Sequence, residues 1–159
     1  MALNKSLFVL ILDRVTDVRN FGAIVRSAEC AGVTAIVIPN KNSAKISSDA
    51  LKTSAGALYH LPICRVQNLK KVIRELKFQR GVQVYAATEK AEKYYTEVDM
   101  IQPTAIIMGS EDKGIDPELL NIATACVKIP QLGQIESLNV SAAAAVMLFE
   151  VVRQRHLQR

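Results

Sequence analysis

The sequence predicts an α/β fold in which a mostly parallel β-sheet is flanked by helices on both faces. Short apolar segments rich in β-branched residues alternate along the chain with longer segments of helical periodicity. Strands that are separated by helices pair in parallel, and the connections between them are right-handed crossovers. With 159 residues, the chain has the length of one domain that can bury a proper core.

The first strand–helix unit lies at the N-terminal end. Residues 6–12 contain the run LFVLIL and are followed at once by Asp13. This run predicts a buried strand, because a membrane span needs about 20 apolar residues. The next segment has apolar residues at helical spacing, which predicts a helix over residues 21–31 with Asn20 as its N-cap and Gly32 at its end.

The rest of the chain continues this alternation. Further strands are predicted over residues 34–38, 63–66, 82–87, 104–108 and 126–129. Further helices are predicted over residues 48–53, 69–78 and 139–155. One more helix begins at Asp116-Pro117-Glu118, because Asp is a good N-cap and Pro is favoured at the first helical position.

Basic residues outnumber acidic ones, 20 to 15, which gives a formal net charge of +5. This excess favours a polyanionic partner such as nucleic acid. Each basic cluster alone is equally compatible with a solvated helix face. The clusters are Lys41, Lys45 and Lys52, then Lys70, Lys71, Arg74, Lys77 and Arg80, and finally Arg153, Arg155 and Arg159.

The three cysteines, Cys30, Cys64 and Cys126, lie in apolar segments and show no metal-ligand spacing. We therefore expect no metal site. An odd number of cysteines fits reduced thiols in a cytoplasmic protein, and we expect all three in the core.

In parallel α/β sheets, ligands bind beyond the carboxyl ends of the strands, so the loops there are the candidate site. After the first strand, Asn20, Gly22 and Arg26 form an N-x-G-x-x-x-R pattern. On the predicted helix, Arg26 can reach back toward the loop to which Asn20 belongs. The alternative is a surface ion pair between Arg26 and Glu29, three residues further on.

The segment 109–114, GSEDKG, follows the predicted strand 104–108 and has the glycine spacing of a phosphate-binding loop. Ile115-Asp116 stands where that loop needs Lys followed by Ser or Thr. Two carboxylates within the segment would repel a triphosphate, so nucleotide hydrolysis is excluded. A G-x-G-x-x-G dinucleotide motif is also absent after the first strand.

The segment IPQLGQIESLNV joins the last strand to an Ala-rich helix. Ser137 or Asn139 can cap that helix by accepting a hydrogen bond from a free N–H group in its first turn. A polar loop of this length also suits a binding site, and the segment alone leaves both interpretations open.

Taken in order, the three patterns N-x-G-x-x-x-R, M-G-S-E-x-x-G-I and I-P-x-x-G-x-x-x-S-L-N-V-S resemble the three motifs of the SpoU (TrmH-like) RNA ribose methyltransferases of the SPOUT superfamily. The resemblance covers nearly the whole chain. Within the family it is closest to the branch that methylates a guanosine 2′-hydroxyl in 23S ribosomal RNA.

The resemblance implies an α/β domain with a deep C-terminal trefoil knot that binds S-adenosylmethionine. Carried over to this sequence, the cofactor would be held largely by backbone groups near Thr88, Gly109, Ile129 and Leu138. At Gly109, the absence of a side chain would let the ligand approach the main chain closely.

The resemblance also implies a catalytic group of five residues. Arg26 would hold the phosphate next to the reacting ribose and stabilise the developing alkoxide, since a guanidinium is not deprotonated in proteins. Asn20 would lie near Arg26, and Glu111 would orient Arg26 or a helix end. Ser137 and Asn139 would hydrogen-bond the sugar and phosphate.

Family members act as homodimers, which implies a dimer formed through the C-terminal helix. Val140, Ala143, Ala144, Met147, Leu148 and Val151 give that helix an apolar face. The same face can also pack in the core, and the two interpretations are not exclusive. We expect residues 1–159 to form the catalytic domain, without the N-terminal RNA-binding domain that many relatives carry.

The expected substrate is therefore structured RNA, with ribosomal RNA preferred over transfer RNA. Two alternatives remain open. One is a transfer RNA ribose methyltransferase, and the other is a non-catalytic RNA-binding protein on the same fold. We expect no association with a membrane.

Overall fold

A computed structural model describes residues 7–156 and shows a seven-stranded sheet with helices on both faces. The strand order is β3-β2-β1-β6-β4-β7-β5, and every pair is parallel. The strands are β1 (Phe8–Asp13), β2 (Ala35–Pro39), β3 (Ile63–Val66), β4 (Gln83–Ala87), β5 (Lys93–Tyr94), β6 (Thr104–Gly109) and β7 (Ala125–Lys128). The helices are α1 (Val18–Cys30), α2 (Ser48–Thr53), α3 (Leu69–Arg80), α4 (Pro117–Ile122) and α5 (Val140–His156). The predicted α/β class is confirmed.

The sheet separates two hydrophobic cores. The larger core lies under α1, α2 and α5 and includes Phe21, Ile24 and Met147, which have no exposed surface. The second core lies on the opposite face, where Leu69 and Ile73 of α3 pack with Leu119 of α4. All six residues of β1 are buried, because the strand is central and covered on both sides.

Most predicted elements are confirmed within one or two residues, and two differ. Helix α1 begins at Val18 instead of residue 21, because Asp17 is the N-cap and its side chain accepts a hydrogen bond from the Asn20 N–H. The prediction that Asn20 caps this helix is therefore wrong. The short edge strand β5 was not predicted from the sequence.

The cysteine prediction is also wrong for two of the three residues. Cys30 and Cys64 are exposed, and only Cys126 is half-buried. All three are free thiols. Within the described range, none of the helices is long and apolar enough to cross a membrane.

Helix α5 uses its apolar face to cover the sheet, so core packing is the correct interpretation of that face. Val140, Ala144, Met147, Leu148 and Val151 are all buried within the chain. Ala143 is partly buried against the same core. The face that the sequence offered as a dimer surface is therefore already occupied.

The C-terminal half of α5 is tied to the rest of the chain by polar contacts. The Glu150 side chain is buried and accepts hydrogen bonds from Arg153 and Gln154. The hydrogen bond from Arg153 holds the pKa of Glu150 below its usual value. Gln154 also joins α5 to Val98 and Met100, because it donates to the Val98 carbonyl and accepts from the Met100 N–H.

Candidate active site at the carboxyl edge of the sheet

The carboxyl ends of four neighbouring strands bring the predicted motif loops together. Strands β1, β6, β4 and β7 lie side by side in the sheet. Their C-terminal ends lead into the segments 14–17, 110–116, 88–92 and 129–139, respectively. Parallel strands end at the same edge, so residues that are far apart in sequence meet here.

The loop 110–116 after β6 folds back tightly on itself. An isolated antiparallel bridge joins Ser110 to Gly114, and Gly114 has a φ of 67°, which favours glycine. A Cβ atom built on Gly109 would lie 2.4 Å from the Gly114 carbonyl carbon and 2.6 Å from the Ile115 nitrogen. Gly109 is therefore required by the close approach of the chain itself.

Two residues at the end of β1 hold the other side of this loop. The Asp13 carboxylate accepts a hydrogen bond from the Asp116 N–H at 2.8 Å, and the Arg14 guanidinium donates to the Gly114 carbonyl at 3.1 Å. Burial raises the pKa of Asp13, while the hydrogen bond from Asp116 and the charge of Arg14 oppose that rise. The loop is thus fixed at its base, with Glu111 near its tip.

Glu111 connects the loop to the start of α5. Its Oε1 accepts a hydrogen bond from the Val140 N–H at 2.9 Å. The negative charge lies at the positive end of the helix dipole, which stabilises both the loop and the helix. The sequence left two roles open for Glu111, which were to orient Arg26 or to orient a helix end. In the structure, Glu111 contacts a helix end.

Asn139 caps α5 and joins it to α1. Its Oδ1 accepts from the Ser141 N–H at 2.8 Å, and its carbonyl accepts from the Ala143 N–H. Its Nδ2 donates to Oδ1 of Asn20 at 3.1 Å. Asn139, and not Ser137, is therefore the cap, and three of the predicted catalytic residues, Asn20, Glu111 and Asn139, meet between two helix N-termini.

All four predicted cofactor residues line two adjoining clefts beside this cluster. Thr88 and Leu138 line both clefts, of about 240 Å³ and 80 Å³. Gly109 lines the larger cleft and Ile129 the smaller. The other walls combine apolar side chains, such as Met108 and Ala143, with polar groups. The polar groups are the loop 110–114 and the side chains of Glu89, Lys90, Gln131, Glu136 and Ser137.

The segment before α5 is open to solvent on the far side of these clefts. Every residue from 130 to 139 is exposed, including Leu132 at 96% and Ile135 at 80%. In the described part of the chain, the backbone groups of residues 130–138 form no hydrogen bonds with other backbone groups. The C=O groups of this segment, and the N–H groups of residues 131–138, are therefore available to a ligand.

Two predicted catalytic residues do not join the cluster. Arg26 is exposed on the third turn of α1, and within residues 7–156 it forms neither an ion pair with Glu29 nor a hydrogen bond. It lines neither of the two clefts. Ser137 lines the smaller cleft, and its hydroxyl has no hydrogen-bond partner among the described residues.

Sequence reasoning missed the roles of Asp13 and Arg14. Asp13 is the last residue of β1, where a buried carboxylate is unusual. Arg14 follows it with a φ of 62°, which is uncommon for a residue with a side chain. The position of Asp13 at a strand end was the available signal. Its partner, Asp116, lies 103 residues away, and no local pattern joins the two.

A family model, SpoU rRNA Methylase family, matches residues 7–149 of the chain. This chain belongs to the SpoU rRNA methylase family. The match contains all three motifs and every strand and helix up to the middle of α5. The SpoU resemblance expected from the sequence is thus confirmed.

Individual SpoU relatives support the same assignment. The chain is 46% identical over 147 residues to the 23S rRNA (guanosine-2′-O-)-methyltransferase RlmB of Xanthomonas axonopodis pv. citri, covering 92% of this chain and 59% of that protein. The chain therefore spans about three fifths of the length of this curated relative.

Solved structures of SpoU proteins match the fold closely. The methyltransferase AviRb from Streptomyces viridochromogenes, in complex with the cofactor AdoMet, has a TM-score of 0.88 at 27% identity, covering 96% of this chain and 62% of that one. The TrmH/SpoU tRNA modifying enzyme of A. aeolicus has a TM-score of 0.85 at 32% identity, covering 97% and 77%, respectively.

Proposed function

We propose that the protein transfers a methyl group from S-adenosylmethionine to a ribose 2′-hydroxyl in structured RNA, and that the target is a guanosine of 23S ribosomal RNA. The observation that carries this proposal is the joining of the three motifs at one sheet edge. The clefts at Thr88, Gly109, Ile129 and Leu138 adjoin the polar cluster around Glu111. A reaction between a small cofactor and a polar substrate needs both a cleft for the cofactor and polar groups beside it.

The residues present fit S-adenosylmethionine. The two clefts together reach the lower end of the volumes usual for small-molecule sites. Ile129, Leu138 and Met108 offer apolar surface for a purine ring, and the unpaired backbone groups of residues 130–138 offer hydrogen bonds. When bound, the cofactor would supply an electrophilic methyl group on a sulfonium. We assign its binding to backbone groups near the four predicted residues.

Arg26 and Ser137 are the side chains of the predicted set that remain available to RNA. Ser137 lies at the smaller cleft and has a free hydroxyl among the described residues, which suits a hydrogen bond to the substrate ribose. The Arg26 guanidinium suits a bidentate contact with the neighbouring phosphate and stabilises the alkoxide that develops during transfer. Glu111, Asn20 and Asn139 hold the two helix ends that frame the site.

The position of Arg26 supports a homodimer. Asn20 joins the cluster, whereas Arg26, six residues further along α1, lies about 9 Å along the axis and far around the helix. Arg26 shares one side of α1 with Arg19 and Cys30, which are exposed, and with Ala23, which is half-buried; these residues lie seven, four and three positions from Arg26, respectively. We propose that this face, with the exposed side of α5, meets a second copy, so that each Arg26 completes the partner's site.

The path of the C-terminal segment supports a trefoil knot. The chain leaves β7 near one edge of the sheet, passes the ends of β4 and β6, and returns as α5 against α1. Asn139 and Val140 lie against the loop after β6 and the start of α1. We propose that residues 129–156 thread through the preceding loop, and that residues 1–159 act as one catalytic domain in the cytoplasm.

A transfer RNA target is the second candidate, because the A. aeolicus neighbour is named as a tRNA modifying enzyme. The 46% identity to a 23S rRNA guanosine methyltransferase favours ribosomal RNA. The guanosine assignment rests on this similarity.

Calorimetric titration with S-adenosylmethionine tests the first step. We expect one site per chain with micromolar affinity, and a Leu138→Glu variant should weaken it strongly, because a carboxylate would enter the apolar wall of both clefts. A Leu132→Glu variant is the matched control, since Leu132 is 96% exposed in the same loop. Absence of binding to the unmodified protein would favour a non-catalytic RNA-binding protein.

A further inference from the structure

Most of the excess positive charge of the chain lies on one helix. Helix α3 has five basic residues and one acidic residue, so it carries a net charge of +4, compared with +5 for the whole chain. It lies on the sheet face opposite α1 and α5. This concentration of charge is therefore separate from the candidate active site.

The basic residues of α3 differ in how far they are used within the chain. Lys70 pairs with Glu118 at 3.6 Å, and Lys77 donates to the Ile122 carbonyl at 2.7 Å. Lys71 and Arg74 are exposed, and their side chains have no ion pair or hydrogen bond among residues 7–156. The charges of Lys71 and Arg74 are therefore available to a ligand.

An exposed aromatic ring lies on the same face. Lys71, Arg74 and Phe78 are separated by three and four residues, which places them along one side of the helix over about 10 Å. The Phe78 side chain is 78% exposed, although its helix has a buried apolar face of its own. The Lys77 ammonium lies 5.2 Å from the centre of the Phe78 ring.

A second cleft continues this surface at the N-terminal end of α3. It has a volume of about 550 Å³ and lies at the carboxyl ends of β2 and β3. Its exposed lining includes Lys41, Asn42, Gln67 and Asn68. Amide side chains both donate and accept hydrogen bonds, which suits base edges and sugars.

The second cleft and the proposed cofactor cleft lie on either side of the loop 110–116. Asp13, Arg14 and Asp116 line the second cleft, whereas residues 110–115 line the cofactor cleft. The lining of the second cleft carries negative charge from Asp13, Asp116 and Glu118 and positive charge from Arg14, Lys41 and Lys70. Lys41 is exposed, so an anion would be drawn to it. A single strand bound at both sites would therefore pass over this loop.

We propose that the outward face of α3 (Lys71, Arg74 and Phe78), with the adjoining cleft at Lys41 and Asn42, binds a segment of RNA outside the methylation site. Unpaired cations contact phosphates, and an exposed aromatic ring stacks on an unpaired base. This combination is typical of single-stranded nucleic-acid surfaces. The proposal rests on the proposed function for the identity of the polyanion, and it adds where the substrate is held.

The test measures binding of a fluorescein-labelled 30-nucleotide RNA hairpin with single-stranded flanks by fluorescence anisotropy between 50 and 200 mM KCl. The double variant Lys71→Gln/Arg74→Gln should reduce the slope of log affinity against log salt by about 1.4 to 1.8, because each lost phosphate contact removes about 0.7 to 0.9. Phe78→Ala should weaken binding roughly 5- to 160-fold with little change in slope. S-adenosylmethionine affinity should be unchanged in both variants.

The matched control is Lys45→Gln/Lys52→Gln, which removes the same charge from exposed residues of another region. An equal loss in this control, an unchanged salt slope in the α3 variant, or no hairpin binding by the unmodified protein would overturn the proposal. So would loss of binding to anionic phospholipid vesicles without loss of RNA binding. If cofactor binding fails while α3 still determines RNA affinity, only the proposed function is contradicted.

Discussion

Substituting Gly109 by Ala tests whether the fold of the loop 110–116 shapes the cofactor cleft. The added Cβ would lie 2.4 to 2.6 Å from backbone atoms of Gly114 and Ile115, whereas carbon contacts are optimal at about 3.5 Å or more. The loop backbone must therefore move by roughly 1 Å, because no flexible side chain can yield in its place. Overpacking of this kind costs about 1 to 3 kcal/mol of the free energy of unfolding.

A shift of this loop should also change the shape of the cofactor cleft. Glu111 and Val140 both line the larger cleft, and the Glu111 carboxylate accepts a hydrogen bond from the Val140 N–H at 2.9 Å. We expect Gly109→Ala to lower the thermal midpoint by about 2 to 12 °C and to weaken S-adenosylmethionine binding at least about tenfold, an effect of about 1.4 kcal/mol. The control is Gly133→Ala, since a Cβ there meets no atom within 4 Å. Scanning calorimetry and titration calorimetry measure the two effects. Equal midpoints and equal affinities in the two variants would show that the loop 110–116 does not shape the cofactor cleft.

Three further predictions concern single side chains. Glu111→Ala removes the acceptor of the Val140 N–H and should cost about 0.5 to 2 kcal/mol in urea unfolding, whereas Glu111→Gln keeps an acceptor and should lose less. Arg26→Lys should leave the unfolding midpoint unchanged and reduce methyl transfer at least about tenfold, because lysine lacks the planar fork; full activity would contradict the bidentate role. The pKa of Glu150 is lowered in the fold, chiefly by Arg153, so its contribution to stability is present above its ordinary pKa of about 4.3 and is lost as pH falls through the lower folded value. Glu150→Gln should remove this part of the pH dependence, and a superimposable unfolding profile between pH 2 and 6 would contradict it.

The regular elements of the fold could be predicted because their signals are local. The strand β1 is apolar throughout, and α2 matches its predicted range of residues 48–53. The start of α1 was wrong because Asp17 and Asn20 are both good caps three residues apart, and local sequence does not rank them. The strand β5 has two exposed residues and therefore no periodicity to detect.

The exposure of Cys30 could have been found from helical spacing. Cys30 lies four residues after Arg26 on α1, and so on the solvent side, rather than in register with the buried residues Phe21, Ile24 and Ala28. Composition alone places cysteine in cores because free cysteine is among the most buried residue types. For Cys30, helical periodicity is the better guide, because it places this residue on the exposed side of α1.

The candidate site could be predicted as a set of motifs but not as a set of contacts. The hydrogen bond between Asn139 and Asn20 joins residues 119 positions apart, and the one between Glu111 and Val140 spans 29 positions. Such pairs depend on the strand order β1-β6-β4-β7, which no local pattern encodes. Asn20 and Arg26 differ from these pairs, because they lie six residues apart on α1 and helical periodicity alone places them on different sides of that helix.

Under the proposed function, the sheet edge around Glu111 and Leu138 performs ribose 2′-O-methylation. The most direct measurement incubates the protein with unmodified 23S ribosomal RNA and methyl-labelled S-adenosylmethionine, digests the RNA to nucleosides, and identifies the labelled product by mass spectrometry. We predict label in 2′-O-methylguanosine, and none when Arg26 is replaced by Ala. Label on a base, or no label in RNA although the cofactor binds, would contradict ribose 2′-O-methylation by this protein.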